Sequence, residues 1–181
     1  IYKFTKNIFC DWYLEFIKIY FINENNESIK EEIKACASIV FKNILKLAHP
    51  FMPFMTDDIY MNYLNNKNFI MEEEWPKGIS FNFIEKSFTE VEDIIKVVTA
   101  CRNIKASLKI EPKNIIKIFY THDLLVIKNN FLLINTLGRI NLTRVKKEKI
   151  NKKDFMKFIN TNFIFYINKK QIENKNILSK D

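Results

Sequence analysis

The sequence is poor in glycine and proline. It contains two glycines, Gly78 and Gly138, and four prolines in 181 residues. A backbone loop that cradles phosphates needs several closely spaced glycines, and collagen-like or linker segments need many more. The composition therefore excludes a glycine-rich nucleotide loop and a collagen-like or linker region within this chain.

Cysteine is also scarce. The three cysteines, Cys10, Cys36 and Cys101, lie far apart, and none has the spacing of a paired metal-binding or redox motif. An odd number of cysteines cannot form a complete set of disulfides. We therefore expect buried thiols and a reducing, cytoplasmic environment.

Long apolar runs are missing as well. A helix that crosses a membrane needs roughly 18 or more consecutive apolar residues, and polar residues interrupt every apolar stretch here. We therefore expect no membrane partner. The sequence begins at Ile1 within an amphipathic pattern and without a methionine, so we expect it to be part of a longer protein.

Charge is distributed unevenly along the chain. The 29 basic and 21 acidic residues give a net charge of +8. Residues 1–76 carry eight basic and eleven acidic residues, a net of −3, and residues 77–181 carry 21 and 10, a net of +11. This asymmetry predicts a polyanionic partner for the second half.

Apolar spacing in the first half is typical of helices. It predicts one helix from Ile1 to about Ile22 and a second from Ile29 to Ala48, which we expect to pack as an antiparallel pair. Thr56 is the predicted N-cap of a short third helix that ends near Leu64. These helices predict a bundle.

The second half combines helical and strand patterns. A long helix is predicted over residues 85–108, three strands over 115–120, 140–145 and 163–167, and a helix over 123–137. The predicted fold is mainly α, an antiparallel helical bundle followed by a small α+β subdomain. We predict three regions: the bundle over residues 1–78, the α+β subdomain over 79–168, and the start of a C-terminal coiled coil or tail over 169–181.

Two sequence strings resemble a known family. The string from Phe9 to Glu15, F-C-D-W-Y-L-E, followed by Lys18, resembles the first helix of the anticodon-binding domain of class I valyl-tRNA synthetases. The string from Leu45 to Tyr60 resembles that family's L-x-L-x-H-P-x-x-P-F-x-T-E-x-[IL]-[WY] stretch. The H-P-x-x-P-F element is shared with leucyl and isoleucyl enzymes, so the first string is what points to valine.

Further matches extend the resemblance over most of the chain. Trp75-Pro76 lies where the family closes its bundle, and Ala100 to Pro112 is similar to the pattern A-x-R-x-[IL]-[RK]-A-x-x-x-I-x-P. The segment from Ile167 to Lys170 resembles the start of the family's C-terminal coiled coil. Just before it, Phe165-Tyr166 replaces the small residues that are common there.

The resemblance implies a role in protein synthesis. The complete enzyme would activate valine with ATP and magnesium and transfer it to valine tRNA, and this region would bind the anticodon stem and loop. The chain has neither the H-I-G-H nor the K-M-S-K-S signature of the catalytic domain. We therefore expect no catalytic residue, cofactor or metal site here, and we expect the partners to be valine tRNA and the rest of the synthetase, which acts as a monomer.

Basic residues are the candidate RNA contacts. One group is a lysine-rich stretch, and the other is a pair three residues apart on the long helix; the candidates are Lys146, Lys147, Lys149, Lys152 and Lys153, and Arg102 and Lys105. The lysines could equally form a solvated face. The helix pair could meet a phosphate together or bridge to an acid.

Other conspicuous residues favour structural roles. Trp12, Tyr13 and Phe16 lie on an apolar face, where packing in the core is favoured over stacking on a base. His49 precedes a proline at a helix end and is expected to cap or pack there. Acidic runs such as Asp57-Asp58 suit a helix start better than acid–base chemistry.

Three other functions stay open on the sequence alone. The chain could be the equivalent domain of an isoleucyl or leucyl enzyme. It could be an RNA-binding module without an attached synthetase. It could also be a scaffold whose charge is incidental, and such a scaffold would bind any RNA weakly.

Overall fold

The computed structural model describes residues 1–64, 68–78, 85–122, 124–151, 153–159 and 163–172. Its contacts divide the chain into two compact units, Ile1–Asn82 and Phe83–Asp181. The first unit is helical, and the second combines helices with one four-stranded mixed sheet. This confirms a helix-rich fold with an α+β part, whereas the predicted region boundaries stay predictions.

The first helix is continuous but not uniform. It consists of α1 (Tyr2–Phe4), a π-helical segment (Thr5–Tyr13) and α2 (Leu14–Asn23). Phe4 and Tyr13, at the two junctions, keep right-handed helical dihedral angles. The helix predicted to reach about Ile22 is therefore present. Apolar spacing does not distinguish the wider π turn from an α turn.

The second long helix, α3 (Glu27–Ala48), begins with a side-chain cap. Asn26 Oδ1 accepts a hydrogen bond from the Ser28 backbone N–H at 3.0 Å, as expected of an N-cap asparagine. The Phe9 ring lies 6.3 Å from the Phe41 ring, and the Lys34 ammonium lies 5.4 Å from the Phe21 ring. The first helix therefore contacts α3, while the antiparallel arrangement of the bundle stays a prediction.

The third helix begins earlier than predicted. Helix α4 runs over Pro53–Asp58 and continues as a π-helical segment, Ile59–Tyr63. Proline suits the first helical position because its missing N–H has no partner there in any case. The prediction of Thr56 as the N-cap is therefore wrong. Thr56 lies inside the helix, and its hydroxyl donates back to the Met52 carbonyl at 2.9 Å.

The core of the first unit is small. Leu45, Tyr60 and Ile70 form a buried cluster, against which other side chains pack: Phe41, Ile59 and Leu64. Ile70 begins a short 3₁₀ turn, Ile70–Glu72. This cluster joins α3 to the segments that follow it in the first unit.

The second unit is built around α5 (Glu85–Ser107), close to the predicted range of 85–108. Its buried residues include Val97, Val98 and Cys101, each with 0 % exposure. The helix ends where Lys109 adopts a left-handed conformation with φ 54°, and the Ile110 N–H returns to the Lys105 carbonyl at 2.9 Å. This is a common way to satisfy the last carbonyls of a helix.

The sheet has the order β2-β1-β4-β3, formed by β1 (Ile116–Tyr120), β2 (Ile140–Arg144), β3 (Phe155–Ile159) and β4 (Ile164–Asn168). β1 and β2 are parallel, and the β1–β4 and β4–β3 pairs are antiparallel. The three predicted strands are confirmed as β1, β2 and β4. β3 was not predicted, because its neighbourhood is rich in lysine.

Two short helices connect β1 to β2, where one helix over 123–137 was predicted. They are α6 (Leu125–Asn129) and α7 (Phe131–Gly138), separated at Asn130. Asp123 lies outside the described residues. After α7 the chain turns sharply into β2, and a Cβ atom on Gly138 would lie 3.0 Å from Ile140 Cδ1.

Burial alternates along the strands. Ile116, Ile118 and Tyr120 of β1 are buried, whereas Lys117 is exposed and Phe119 is half-buried. One face of the sheet is therefore buried, and α7 contacts β2. On the other face, the rings of Phe119 and Phe155 meet edge to face at 5.3 Å.

Two further expectations can be compared with the structure. Cys101 is buried as expected, but Cys10 and Cys36 are exposed, so the prediction of three buried thiols is wrong for these two. Residues 169–172 are helical, and residues 173–181 lie outside the described part, so the coiled coil or tail stays a prediction. No helix in the described part is both long and apolar enough to cross a membrane.

Candidate nucleic-acid interface

The lysine-rich stretch lies in a crossover between the two edge strands of the sheet. β2 and β3 run parallel to each other at opposite edges, so residues 145–154 must cross the sheet to join them. The segment contains a 3₁₀ turn, Lys147–Lys149. We call its four described candidates the lysine crossover: Lys146, Lys147, Lys149 and Lys153.

The four side chains of the lysine crossover are free to bind. All four residues are exposed, and none of their ammonium groups makes a hydrogen bond or ion pair with another described residue. Glu148 and Asp154 are the acids within this segment. Lys152 lies outside the described residues. This arrangement is suited to phosphate contacts, which depend on cations that can reach the backbone of a nucleic acid.

Arg102 and Lys105 on α5 donate hydrogen bonds to backbone carbonyl groups. Arg102 Nη2 donates to the Leu137 carbonyl at 2.9 Å. Lys105 Nζ donates to the carbonyls of Pro112 at 2.8 Å and Arg139 at 3.3 Å. Lys105 is only 3 % exposed, and its RNA contact stays a prediction. Arg102 is exposed, and its RNA contact stays a prediction.

The same two residues line a cavity of about 380 Å³ in the second unit. Arg139, which follows α7, lines it with them. Arg139 was not among the RNA contacts predicted from the sequence. One feature of the sequence could have drawn attention to Arg139. It directly follows Gly138 at the end of a predicted helix, a position at which a small residue is usual.

The aromatic residues of the first helix are less buried than predicted. Trp12, Tyr13 and Phe16 are half-buried, and the rings of Trp12 and Phe16 are 6.1 Å apart. Phe9 is the buried residue of this segment, with 5 % exposure. Desolvation, followed by a hydrogen bond with Cys36, raises the pKa of Tyr13 to about 12.

His49 and Thr56 form a buried pair in the first unit. His49 Nδ1 lies 2.8 Å from Thr56 Oγ1, and the two residues are 8 % and 2 % exposed. The Thr56 hydroxyl donates a hydrogen bond to the carbonyl of Met52, the residue before α4. The pair therefore joins the end of α3 to the next helix, and its burial suits a structural role better than catalysis.

The adjacent carboxylates also have structural roles. Asp57 Oδ1 accepts a hydrogen bond from the Ile70 N–H at 3.0 Å, and Asp58 Oδ1 accepts one from Asn62 at 2.7 Å. Hydrogen bonds from Lys46 and Tyr60 lower the pKa of Glu73. Within the described ranges, no group of three or more His, Cys, Asp or Glu side chains could hold a metal ion.

Comparison with known families places this geometry in context. The sequence model of the family described as "Anticodon-binding domain of tRNA ligase" matches residues 1–120. The match includes the first unit and the α5 and β1 segments of the second. It ends before the lysine crossover begins.

Individual relatives extend the similarity further. The chain is 35 % identical to the valine–tRNA ligase of Pelagibacter ubique over 77 % of its own length, and 34 % identical to that of Mesoplasma florum over 90 %. It is 29 % identical to the valine–tRNA ligase of Buchnera aphidicola over 84 % of its length. The chain spans 16 to 17 % of the length of these relatives.

Proposed function

The chain belongs to the family of anticodon-binding domains of tRNA ligases, and we propose that it is the tRNA-binding region of a valine–tRNA ligase. The observation that carries the proposal is the family match over residues 1–120. Valine is favoured over isoleucine or leucine because the relatives compared above are all named valine–tRNA ligase. The F-C-D-W-Y-L-E string supports the same choice.

The complete protein would activate valine with ATP and magnesium and transfer it to the 3′ end of valine tRNA. The ATP site and the catalytic residues would lie in the catalytic domain of that longer protein. We place the enzyme in the cytoplasm as a monomer. In this proposal the first unit is part of an antiparallel helical bundle that receives the anticodon stem and loop.

Binding would combine two kinds of contact. The exposed cations of the lysine crossover would contact phosphates and supply affinity that falls as the salt concentration rises. Side chains of the first unit would stack on and hydrogen-bond to unpaired bases of the anticodon loop, which is how proteins usually recognise single-stranded RNA. Specificity for valine tRNA would come from the second kind of contact, because phosphates carry no sequence information.

The test is a titration of the 181-residue chain with valine tRNA and with the same tRNA carrying a substituted anticodon, at two salt concentrations. The proposal predicts tighter binding of the native anticodon, with a ratio of affinities that changes little with salt. Equal affinities that fall together with salt would support the scaffold alternative and contradict anticodon recognition by this chain.

A further inference from the structure

Arginine is rare in this chain, and two of its three arginines line one cavity. Arg102, Arg139 and Arg144 are the arginines among 29 basic residues. The cavity of about 380 Å³ is lined by Arg102 and Arg139 together with Lys105. Its remaining lining is uncharged: Ala106, Ile110, Pro112, Leu137 and Gly138. Among the described residues, three cations and no carboxylate therefore line this space.

The side chains of Lys105 and Arg102 have a structural use. They bind the carbonyl groups of Pro112, Arg139 and Leu137. The last two of these carbonyls lie at the C-terminal end of α7, which carries partial negative charge. The buried ammonium of Lys105 offsets this negative charge at the cavity. A guanidinium has five N–H donors in a planar fork.

Arg139 has no comparable structural use. Its guanidinium makes no hydrogen bond or ion pair with any described residue, and it is exposed at the cavity. Its backbone is in the left-handed region, with φ 48° and ψ 55°. This conformation favours glycine and costs an L-residue energy. At the end of α7 this conformation is a helix cap, because the Arg139 N–H donates to the carbonyls of Asn135 and Thr136. The backbone therefore has a structural explanation, whereas the guanidinium has no partner among the described residues.

We propose that this cavity binds a phosphate group of the RNA backbone. The planar guanidinium of arginine can donate two parallel hydrogen bonds to one phosphate. Two guanidinium groups at one cavity can therefore bind the phosphate oxygens from two sides. The inference rests on the proposed function, because that function supplies RNA as the source of the phosphate. It adds Arg139 as a binding residue and assigns Arg102 and Arg139 to one phosphate.

The test uses nuclear magnetic resonance of the arginine side chains in the whole chain. Three arginines give three Nε–H signals, and Arg144, which lies at the exposed end of β2, serves as an internal control. The probes are inorganic phosphate at constant ionic strength and, separately, valine tRNA. We expect the Arg102 and Arg139 signals to shift saturably with both probes, and the Arg144 signal to respond at least tenfold more weakly to phosphate.

Arg139→Gln is the decisive variant, because the guanidinium it removes makes no hydrogen bond with the described part of the chain. We expect it to weaken phosphate binding, read from the Arg102 signal, at least tenfold. Arg144→Gln removes the same charge and should leave phosphate binding unchanged. Equal, non-saturating shifts of all three signals, or an unchanged phosphate affinity in Arg139→Gln, would overturn the proposal.

The titration with valine tRNA distinguishes a failure of this proposal from a failure of the proposed function. If valine tRNA binds the chain but the Arg102 and Arg139 signals do not move, the phosphate pocket is wrong and tRNA binding stands. If phosphate saturates the cavity but no tRNA binds, the proposed function fails, and with it the assignment of this phosphate to RNA.

Discussion

His49 Nδ1 lies 2.8 Å from the hydroxyl oxygen of Thr56, and both side chains are buried. The Thr56 hydroxyl hydrogen is directed to the Met52 carbonyl at 2.9 Å. The same hydroxyl also lies 3.1 Å from the Pro53 carbonyl. The Thr56 hydroxyl thus links His49, at the end of α3, to the start of α4.

Removing this hydroxyl should destabilise the first unit. Thr56→Val keeps the size of the side chain but leaves the buried His49 Nδ1 without its partner, so we expect a loss of about 1–3 kcal/mol in the free energy of unfolding. Thr56→Ser keeps the hydroxyl and should cost much less. Urea unfolding followed by circular dichroism measures both variants. An equal loss in the two variants would show that the methyl group, and not the hydrogen bond, stabilises this turn.

Phe9 should contribute more to stability than Trp12, although tryptophan is the larger residue. Phe9 is 5 % exposed and contacts the rings of Tyr13 and Phe41, so Phe9→Ala should cost about 3–5 kcal/mol. Trp12 is half-buried, so Trp12→Ala should cost about 1–2 kcal/mol because less apolar area leaves water on folding. The same unfolding measurement ranks the two. A greater loss for Trp12→Ala would contradict the packing described here.

Tyr60 should make stability fall at high pH. Burial, followed by a hydrogen bond with Glu73, raises the pKa of Tyr60 from 10.0 to about 12. The unfolded chain then loses the tyrosine proton at lower pH than the folded chain. The stabilising contribution is therefore complete below pH 10 and is lost as pH rises towards 12.

Tyr60→Phe isolates this contribution. The difference in free energy of unfolding between the native chain and Tyr60→Phe should be constant below pH 10 and should shrink towards pH 12. Denaturant unfolding at a series of pH values measures it. Subtracting the variant removes the effects of lysines and of other tyrosines. A difference that stays constant over this range would mean that Tyr60 titrates normally in the folded chain.

The lysine crossover should determine part of the salt dependence of RNA binding. Changing its four lysines and Lys152 to alanine should lower the slope of log affinity against log salt by about 0.7–0.9 for each phosphate that is no longer neutralised. A control, Lys96→Ala with Lys128→Ala, removes exposed charges from α5 and α6. Fluorescence titration with tRNA at several salt concentrations gives both slopes. If the slope changes equally per lysine in both variants, only net charge matters.

Sequence patterns predicted the elements whose signal is long or regular. The apolar stripe of α5 and the β-branched runs of β1, β2 and β4 are of this kind. β3 was missed because the lysine-rich stretch before it was interpreted as RNA contacts or a solvated face, although its residues pair with β4. The pattern of apolar and charged residues cannot show whether such a stretch forms a strand, because that depends on pairing with a strand distant in the sequence.

The candidate site was only partly predictable. Charge density identifies the lysine crossover, whose cations are exposed. Arg102 and Lys105 have the same charge and helical spacing, yet one is exposed and the other is 3 % exposed, because the second faces the loop after α5. Arg139 was missed because a single arginine after a glycine has no recognised motif, and only the fold brings it to the cavity of Arg102.

Hydroxyl-radical footprinting of valine tRNA bound to this chain tests the central claim most directly. The account predicts that protection is concentrated in the anticodon stem and loop and is lost when the lysines of the lysine crossover are changed to alanine. Protection of the acceptor stem alone, or weak protection spread evenly over the tRNA, would contradict the assignment of this chain as an anticodon-binding region.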